Sequence, residues 1–323
     1  NNQNENTIRV KMLCNWCSSE QLCIEWSNMC NGKTYESILK NKWNTIEITS
    51  DDKNIDYYVI INHPHPSDEN SYVPERTIIF QMEPWVNDAT KNWGVKTWGK
   101  WASPDETQFL KIFTHRNYLN NVQWQIDSPF YNKEFNELLN YTYKCNKIAA
   151  ISSFKNFDTG HMLRNDFIRY IENKSEPNIK GETNIEIDVF GRENFHHFKS
   201  YCGKIKDDNK YNVYSNYKYC LAVENNSENN YATEKIWEGI LCESLCFYWG
   251  CPNLEEYIDP KVFVRLPLED YEQSYKIIQQ AIAEDWWSQR IEIIKETKQK
   301  LLHELGFFPL LEKTLKIKNK NKK

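Results

Sequence analysis

Apolar residues along this chain fall in short blocks closed by turn residues, and between the blocks the spacing turns helical. Residues 8–13 predict a strand and 20–26 open a helix; 57–61, 77–80 and 110–113 predict three more short strands. The stretch 117–143 is polar and rich in Asn, so a domain boundary is expected near its end. The pattern restarts with a strand at 147–152, a helix at about 161–172 and a strand at 185–190. A strand at 221–223 then leads into a helix whose apolar side holds Ile236, Trp237, Ile240 and Leu241. Strands at 245–249 and 262–264 follow, and helices at about 271–284 and 288–305 end the series. Strand-helix alternation in both halves implies parallel sheets covered by helices. The expected architecture is therefore α/β, with two Rossmann-like domains facing a central cleft. Their bounds are 1–144 and 145–310, with 311–323 as a basic tail.

Composition narrows the function classes. The chain has 323 residues, enough for two cores, with 40% hydrophobic and 14% aromatic residues. The net charge of −5 argues against a general nucleic-acid surface. Positive charge concentrates at Lys313, Lys316, Lys318, Lys320, Lys322 and Lys323, which reads as a solvated, frayed end. Weak contact with an anionic membrane surface is the second reading of that tail. No apolar run approaches a membrane span, so no transmembrane segment is expected. A cytoplasmic location is expected, or the Golgi lumen if an anchor precedes Asn1. Cys14, Cys17, Cys23 and Cys30 cluster near the start, yet only Cys14 and Cys17 have C-x-x-C spacing, so free thiols are expected before zinc or disulfides. A glycan at the sequon Asn225-Asn226-Ser227 would obstruct the pocket proposed below, which disfavours passage through a secretory pathway.

The chemistry concentrates in residues 217–237. An apolar strand ends in Glu224-Asn225-Asn226-Ser227, and Tyr231-Ala232-Thr233-Glu234-Lys235-Ile236-Trp237 then begins a helix with Thr233 as N-cap. Such a helix start offers free backbone N–H groups and a positive dipole end, and Lys235 adds a full charge. Glu224 and Glu234 are acceptors suited to ribose or sugar hydroxyls. Together these groups fit a nucleotide diphosphate joined to something rich in hydroxyls.

This stretch resembles the donor-binding signature of the α1,3-fucosyltransferases (glycosyltransferase family 10), and Phe247-Tyr248-Trp249-Gly250-Cys251-Pro252 resembles the family's next strand and turn. The resemblance covers about 147–266 and is thin over the first half. It implies the GT-B architecture, GDP-fucose as donor and a glycan hydroxyl as acceptor, in an inverting transfer. By the same resemblance Arg164 and Lys235 stabilise the diphosphate, Tyr231 stacks on or hydrogen-bonds the nucleotide, and Asn225 and Glu234 hold ribose or fucose hydroxyls. Asn230 stands where the pattern often has aspartate, Ala232 replaces a larger aliphatic, and Trp249 occupies a variable site.

Glu83 is the candidate general base. It follows the apolar run 77–80 and precedes Pro84, which places it at the carboxyl end of a strand, and it also matches the family's acceptor-side pattern. Arg164, at the start of the 161–172 helix, has the fork that suits a diphosphate. Neither His63 with His65 nor His196 with His197 has the spacing of a helical zinc site. No cofactor is required on this reading, and Mg²⁺ or Mn²⁺ would only stimulate. Two alternatives stand beside it: the same fold with another nucleotide sugar, and a non-catalytic carbohydrate-binding or assembly protein.

Overall fold

The computed structural model describes residues 7–27, 41–86, 88–116, 144–174, 184–206 and 210–320, with side chains described to 316. The chain divides into two compact units, Asn1–Asn136 with Leu302–Lys323, and Glu137–Leu301. The expected domain boundary near 144 falls largely outside the described residues.

The first unit is built on a six-stranded sheet in the order β2-β3-β1-β4-β5-β6. Its strands are β1 (Ile8–Cys14), β2 (Lys42–Trp43), β3 (Ile46–Thr49), β4 (Tyr57–Ile61), β5 (Thr77–Phe80) and β6 (Lys111–Phe113). All neighbours run parallel except β2 and β3. Every residue of β4 and β5 is buried, as expected of parallel strands covered on both faces. Helix α1 (Ser19–Trp26) follows β1, capped by Ser18, whose hydroxyl accepts from the Gln21 N–H at 3.3 Å.

The second unit carries a six-stranded, all-parallel sheet in the order β12-β11-β10-β7-β8-β9. In chain order its elements are β7 (Cys145–Ile151), α2 (Thr159–Lys174), β8 (Ile187–Phe190), β9 (Tyr201–Gly203), α3 (Tyr211–Tyr214) and β10 (Tyr217–Val223). Then come α4 (Glu234–Leu241), β11 (Leu245–Trp249), β12 (Phe263–Arg265), α5 (Tyr271–Ala283) and α6 (Trp286–Lys300). The chain winds outward from β7 to β9, then restarts beside β7 with β10 and winds the other way. Such a reversal opens a crevice at the carboxyl ends of the two central strands, here β7 and β10. In the first sheet the reversal lies between β1 and β4.

The α/β expectation with two parallel sheets holds. The end of the chain corrects it. Most of the residues expected as a basic tail, 311–323, lie in helix α7 (Phe307–Lys320), which belongs to the first unit. Phe307, Leu311 and Leu315 recur at helical spacing, are at most 1% exposed, and join the core that holds Trp26, Trp43 and Phe80. The Phe307 ring meets Trp26 edge-on at 4.9 Å and Phe80 at 5.0 Å, while Phe308 stacks on Trp43 at 5.5 Å. Lys313 and Lys316 occupy the exposed face. The nine described cysteines are unbridged, with Cys220, Cys242 and Cys246 buried.

A helix docked in this way must contribute to stability. Phe307→Ala should destabilise the protein by about 3–5 kcal/mol in denaturant unfolding, whereas Lys316→Ala should stay within about 0.5 kcal/mol. Equal, small effects would mean that the segment is the frayed end its lysines imply.

Candidate functional site

The polar elbow 224–233 lies at the carboxyl end of β10, on the crevice between β7 and β10. Thr233 caps α4 as expected: its hydroxyl accepts from the Lys235 N–H at 3.4 Å. The role expected of Glu224 is corrected. Its side chain is fully buried, with Oε1 accepting from the Thr233 N–H at 2.8 Å and Oε2 from the Thr233 hydroxyl at 2.6 Å. Glu224 therefore braces the elbow from behind and offers no surface to a sugar. Burial pushes its carboxyl up to about 7, opposed by nearby Lys235.

Two glycines make the close packing around this brace. A Cβ on Gly250, whose φ is +152°, would lie 2.4 Å from Glu224 Cγ. A Cβ on Gly160, in the first turn of α2, would lie 1.7 Å from the Glu224 carbonyl oxygen. Without one, the Gly160 N–H reaches the Asn225 carbonyl at 2.9 Å and joins the start of α2 to the elbow.

Lys235 stands between two carboxylates. Its ammonium lies 3.2 Å from Glu234 Oε1 and 3.9 Å from Glu224 Oε2. Burial alone would raise Glu234, but Lys235 and Lys210 with the hydrogen bonds of Thr233 and Lys235 overcome it and bring the group down to about 2. Arg164, from α2, is only 6% exposed, and its Nε and Nη2 make no hydrogen bond among the described residues. Burial lowers its guanidinium to about 10, which still leaves it charged at neutral pH.

His161 was missed by sequence reasoning, because no motif marks it. It is 2% exposed, its Nδ1 accepts from the Asp158 N–H at 3.2 Å, and it hydrogen-bonds the Asn225 side chain. Burial, then the charges of Arg164, Lys235 and Lys155, hold it down at about 4. Three cations thus act on one neutral imidazole at the elbow. Asn225 is half-buried beside it, as are Glu234 and Lys235. Tyr231, expected to stack on a nucleotide, is 4% exposed and has little open face to offer. Arg192 sits on an exposed turn after β8.

On the other side of the elbow, a pocket of about 440 Å³ is lined by Ser227, Trp249, Gly250, Arg265 and Glu269 among others. The Trp249 indole N–H donates to Glu269 at 3.0 Å, and Ser227 donates to the Gly250 carbonyl at 2.9 Å.

Glu83 belongs to the first unit. It is exposed just beyond β5 and lines a pocket of about 310 Å³ with Asn15, Trp16, Asn62 and Met82. These residues follow β1, β4 and β5, so the pocket lies at that sheet's own reversal point. The histidines weighed as metal ligands are engaged elsewhere: His63 with the Pro64 carbonyl, His65 with Ser67, and His196 with the Ser153 carbonyl.

The brace has a pH signature. The folded-state pKa of Glu224, about 7, exceeds its ordinary 4.5, so its contribution to stability is full below pH 4.5 and lost as pH rises through 7. Glu224→Gln cannot ionise and should gain on the wild type by about 3 kcal/mol between pH 4.5 and pH 8, read from denaturant unfolding. A gap that does not change with pH would place the Glu224 titration at its ordinary value.

Residues 173–283 match the family model described as glycosyltransferase family 10 (fucosyltransferase) C-term. An α-(1,3)-fucosyltransferase of Helicobacter pylori is 36% identical over 58 residues, which are 18% of this chain and 12% of that protein. A fucosyltransferase-like protein of Arabidopsis thaliana is 36% identical over 78 residues, 24% of this chain and 14% of its own length. The matched stretches therefore span a small part of both curated relatives. A crystal structure of an α1,3-fucosyltransferase shares the fold, with a TM-score of 0.51 and 14% identity over 94% of this chain and 92% of that one. The resemblance read from residues 217–237 is thus borne out by the match to the family model across 173–283.

Proposed function

We propose that this protein is an inverting glycosyltransferase that moves L-fucose from GDP-fucose to a hydroxyl of a glycan. The observation that carries the reading is the cationic elbow, where Arg164, Lys235 and Lys155 act on one buried imidazole and Arg164 Nε and Nη2 lack hydrogen-bond partners among the described residues. A buried, unpaired guanidinium is costly, and a pyrophosphate is the anion whose oxygens match its fork. The family match over 173–283 and the names of the curated relatives support fucose as the sugar.

On this reading the diphosphate lies over the start of α4. Arg164 and Lys235 offset the charge that builds as the bond from the sugar's C1 to the phosphate oxygen breaks. Asn225, held by His161, and Glu234 take ribose or fucose hydroxyls. The adjoining pocket of Ser227, Trp249 and Glu269 offers space for the sugar. Glu83 removes the proton from the acceptor hydroxyl as its oxygen bonds to C1 from the opposite face, which inverts that centre.

Thermal unfolding with GDP, GMP, UDP or buffer tests the donor. Saturating GDP should raise the Tm by several degrees, and UDP should not. Stabilisation by UDP alone would move the assignment to another nucleotide sugar, and no response to any of them would remove a nucleotide site altogether. Arg164→Met should raise the Tm of the ligand-free protein, because an unpaired buried charge is gone, yet abolish most of the GDP shift. Glu83→Gln should keep the GDP shift and lose about 100-fold or more of the transfer rate. Loss of both would make Glu83 structural.

A further inference from the structure

We propose that Cys14 and Cys17 form a thiol modification site, a dithiol that exchanges with a small disulfide of the glutathione type and closes to an intramolecular bridge. The site goes beyond the transferase reading and does not depend on it. Cys14 ends β1 and is 1% exposed, while Cys17 lies half-buried in the loop ahead of α1. Their sulfurs are 3.5 Å apart, and the Cys14 thiol also lies 3.5 Å from the Cys17 carbonyl oxygen. A disulfide needs about 2.05 Å, so rotation of the two side chains closes the gap with little demand on the backbone. That backbone is pinned on both sides of the pair. The Ser19 hydroxyl donates to the Met12 carbonyl at 2.5 Å, the Ser19 N–H donates to Asp68 at 3.1 Å, and Asn15 Oδ1 accepts from Asn62 at 3.0 Å. The thiols are therefore held together before any oxidant arrives.

Access separates this pair from the other close one. Cys220 and Cys246 are 3.3 Å apart, but neither is exposed to water, so a solute disulfide has no route to them. At the loop, the Cys17 thiolate attacks one sulfur of the oxidant, whose S–S bond breaks and releases one glutathione thiolate. Cys14 then attacks Cys17 Sγ in the mixed disulfide and expels the second. The protein loses two hydrogens and two electrons, and the oxidant becomes two thiols. Burial sets the pace. It pushes the Cys17 thiol up to about 12, with the neighbouring Cys14, Glu25 and Asp68 adding to the rise, and it raises Cys14 as well. Thiolate is therefore scarce at neutral pH and exchange is slow, while the same poor leaving groups make the bridge hard to reopen. Asn15 and Trp16 stand between the two cysteines and line the pocket of Glu83, so closure stiffens one wall of that pocket.

Incubation of the whole protein with glutathione disulfide, then alkylation with iodoacetamide and cleavage at Trp16 by chymotrypsin, tests the site by mass spectrometry. The Cys14 and Cys17 peptides should stay joined after oxidation and separate after dithiothreitol. The rate of joining should rise about ten-fold from pH 7 to pH 8, as thiolate does far below its pKa. Cys17→Ser should never join them, and Cys23→Ser should join them as the wild type does. Oxidation should raise the Tm by about 2–4 °C in the wild type and not in Cys17→Ser. Four results would each overturn the site: both thiols alkylated throughout, a bridge from Cys17 to Cys23 or Cys30, glutathione retained on Cys17 without closure, or a Tm that falls on oxidation.

Discussion

The Glu224 carboxyl has no exposure to water, so its oxygens must be met by protein groups. Thr233 meets them twice, through its N–H and its hydroxyl, and these two hydrogen bonds tie the end of β10 to the first turn of α4. The close approach of Gly160 and Gly250 then leaves the elbow no freedom to shift toward either neighbour. Asn225 and Lys235 are placed because the residue behind them cannot move. The cap, the brace and the two glycines form one construction, and the outward-facing groups inherit its rigidity.

Charge follows from the same construction. On either side of Thr233 two carboxyl groups are driven apart: Glu224 to about 7 by burial, Glu234 to about 2 by its cationic neighbours. Lys235 lies against both of them and is balanced mainly by Glu234. Arg164 has no such balance among the described residues. A dry cation of this kind raises the free energy of the ligand-free protein and lowers it once an anion arrives, so the cost of holding it is returned as affinity. His161 stays neutral for the same reason, since a further positive charge beside Arg164, Lys235 and Lys155 would add to the cost.

Much of the fold was legible because fully buried parallel strands leave a plain mark. Residues 57–61, 77–80 and 245–249 coincide with β4, β5 and β11, each a run buried on both faces and closed by turn residues. Short strands such as β3, broken by Glu47, and β9, ending in Gly203, lack that mark. Helix α7 was hidden by its own lysines, although the spacing of Phe307, Leu311 and Leu315 was there to be read. At the site, the motif marked the residues of the elbow but not which way they face. Glu224 and Tyr231 belong to the signature and point inward, while His161 carries no signature and reaches the elbow through α2. Such convergence comes from distant strands meeting at one edge, and local sequence does not encode it.

The departures from the family pattern sort by the same distinction between placing a group and presenting one. Asn230 stands where aspartate is frequent, yet it holds a left-handed backbone at a φ of +61°, which Asn tolerates well. Its Oδ1 accepts from Tyr257 and from Asn253 Nδ2, and its own N–H donates to Asn253 Oδ1 at 2.7 Å. Both side-chain bonds require an oxygen acceptor and neither requires a charge. At 8% exposure the neutral amide avoids burying another anion near Glu224 and so keeps the geometry at lower cost. Arg164 and Lys235, by contrast, match the pattern that the sequence resembles. The elbow thus accepts substitution in its scaffolding while the cations it supports stay in place.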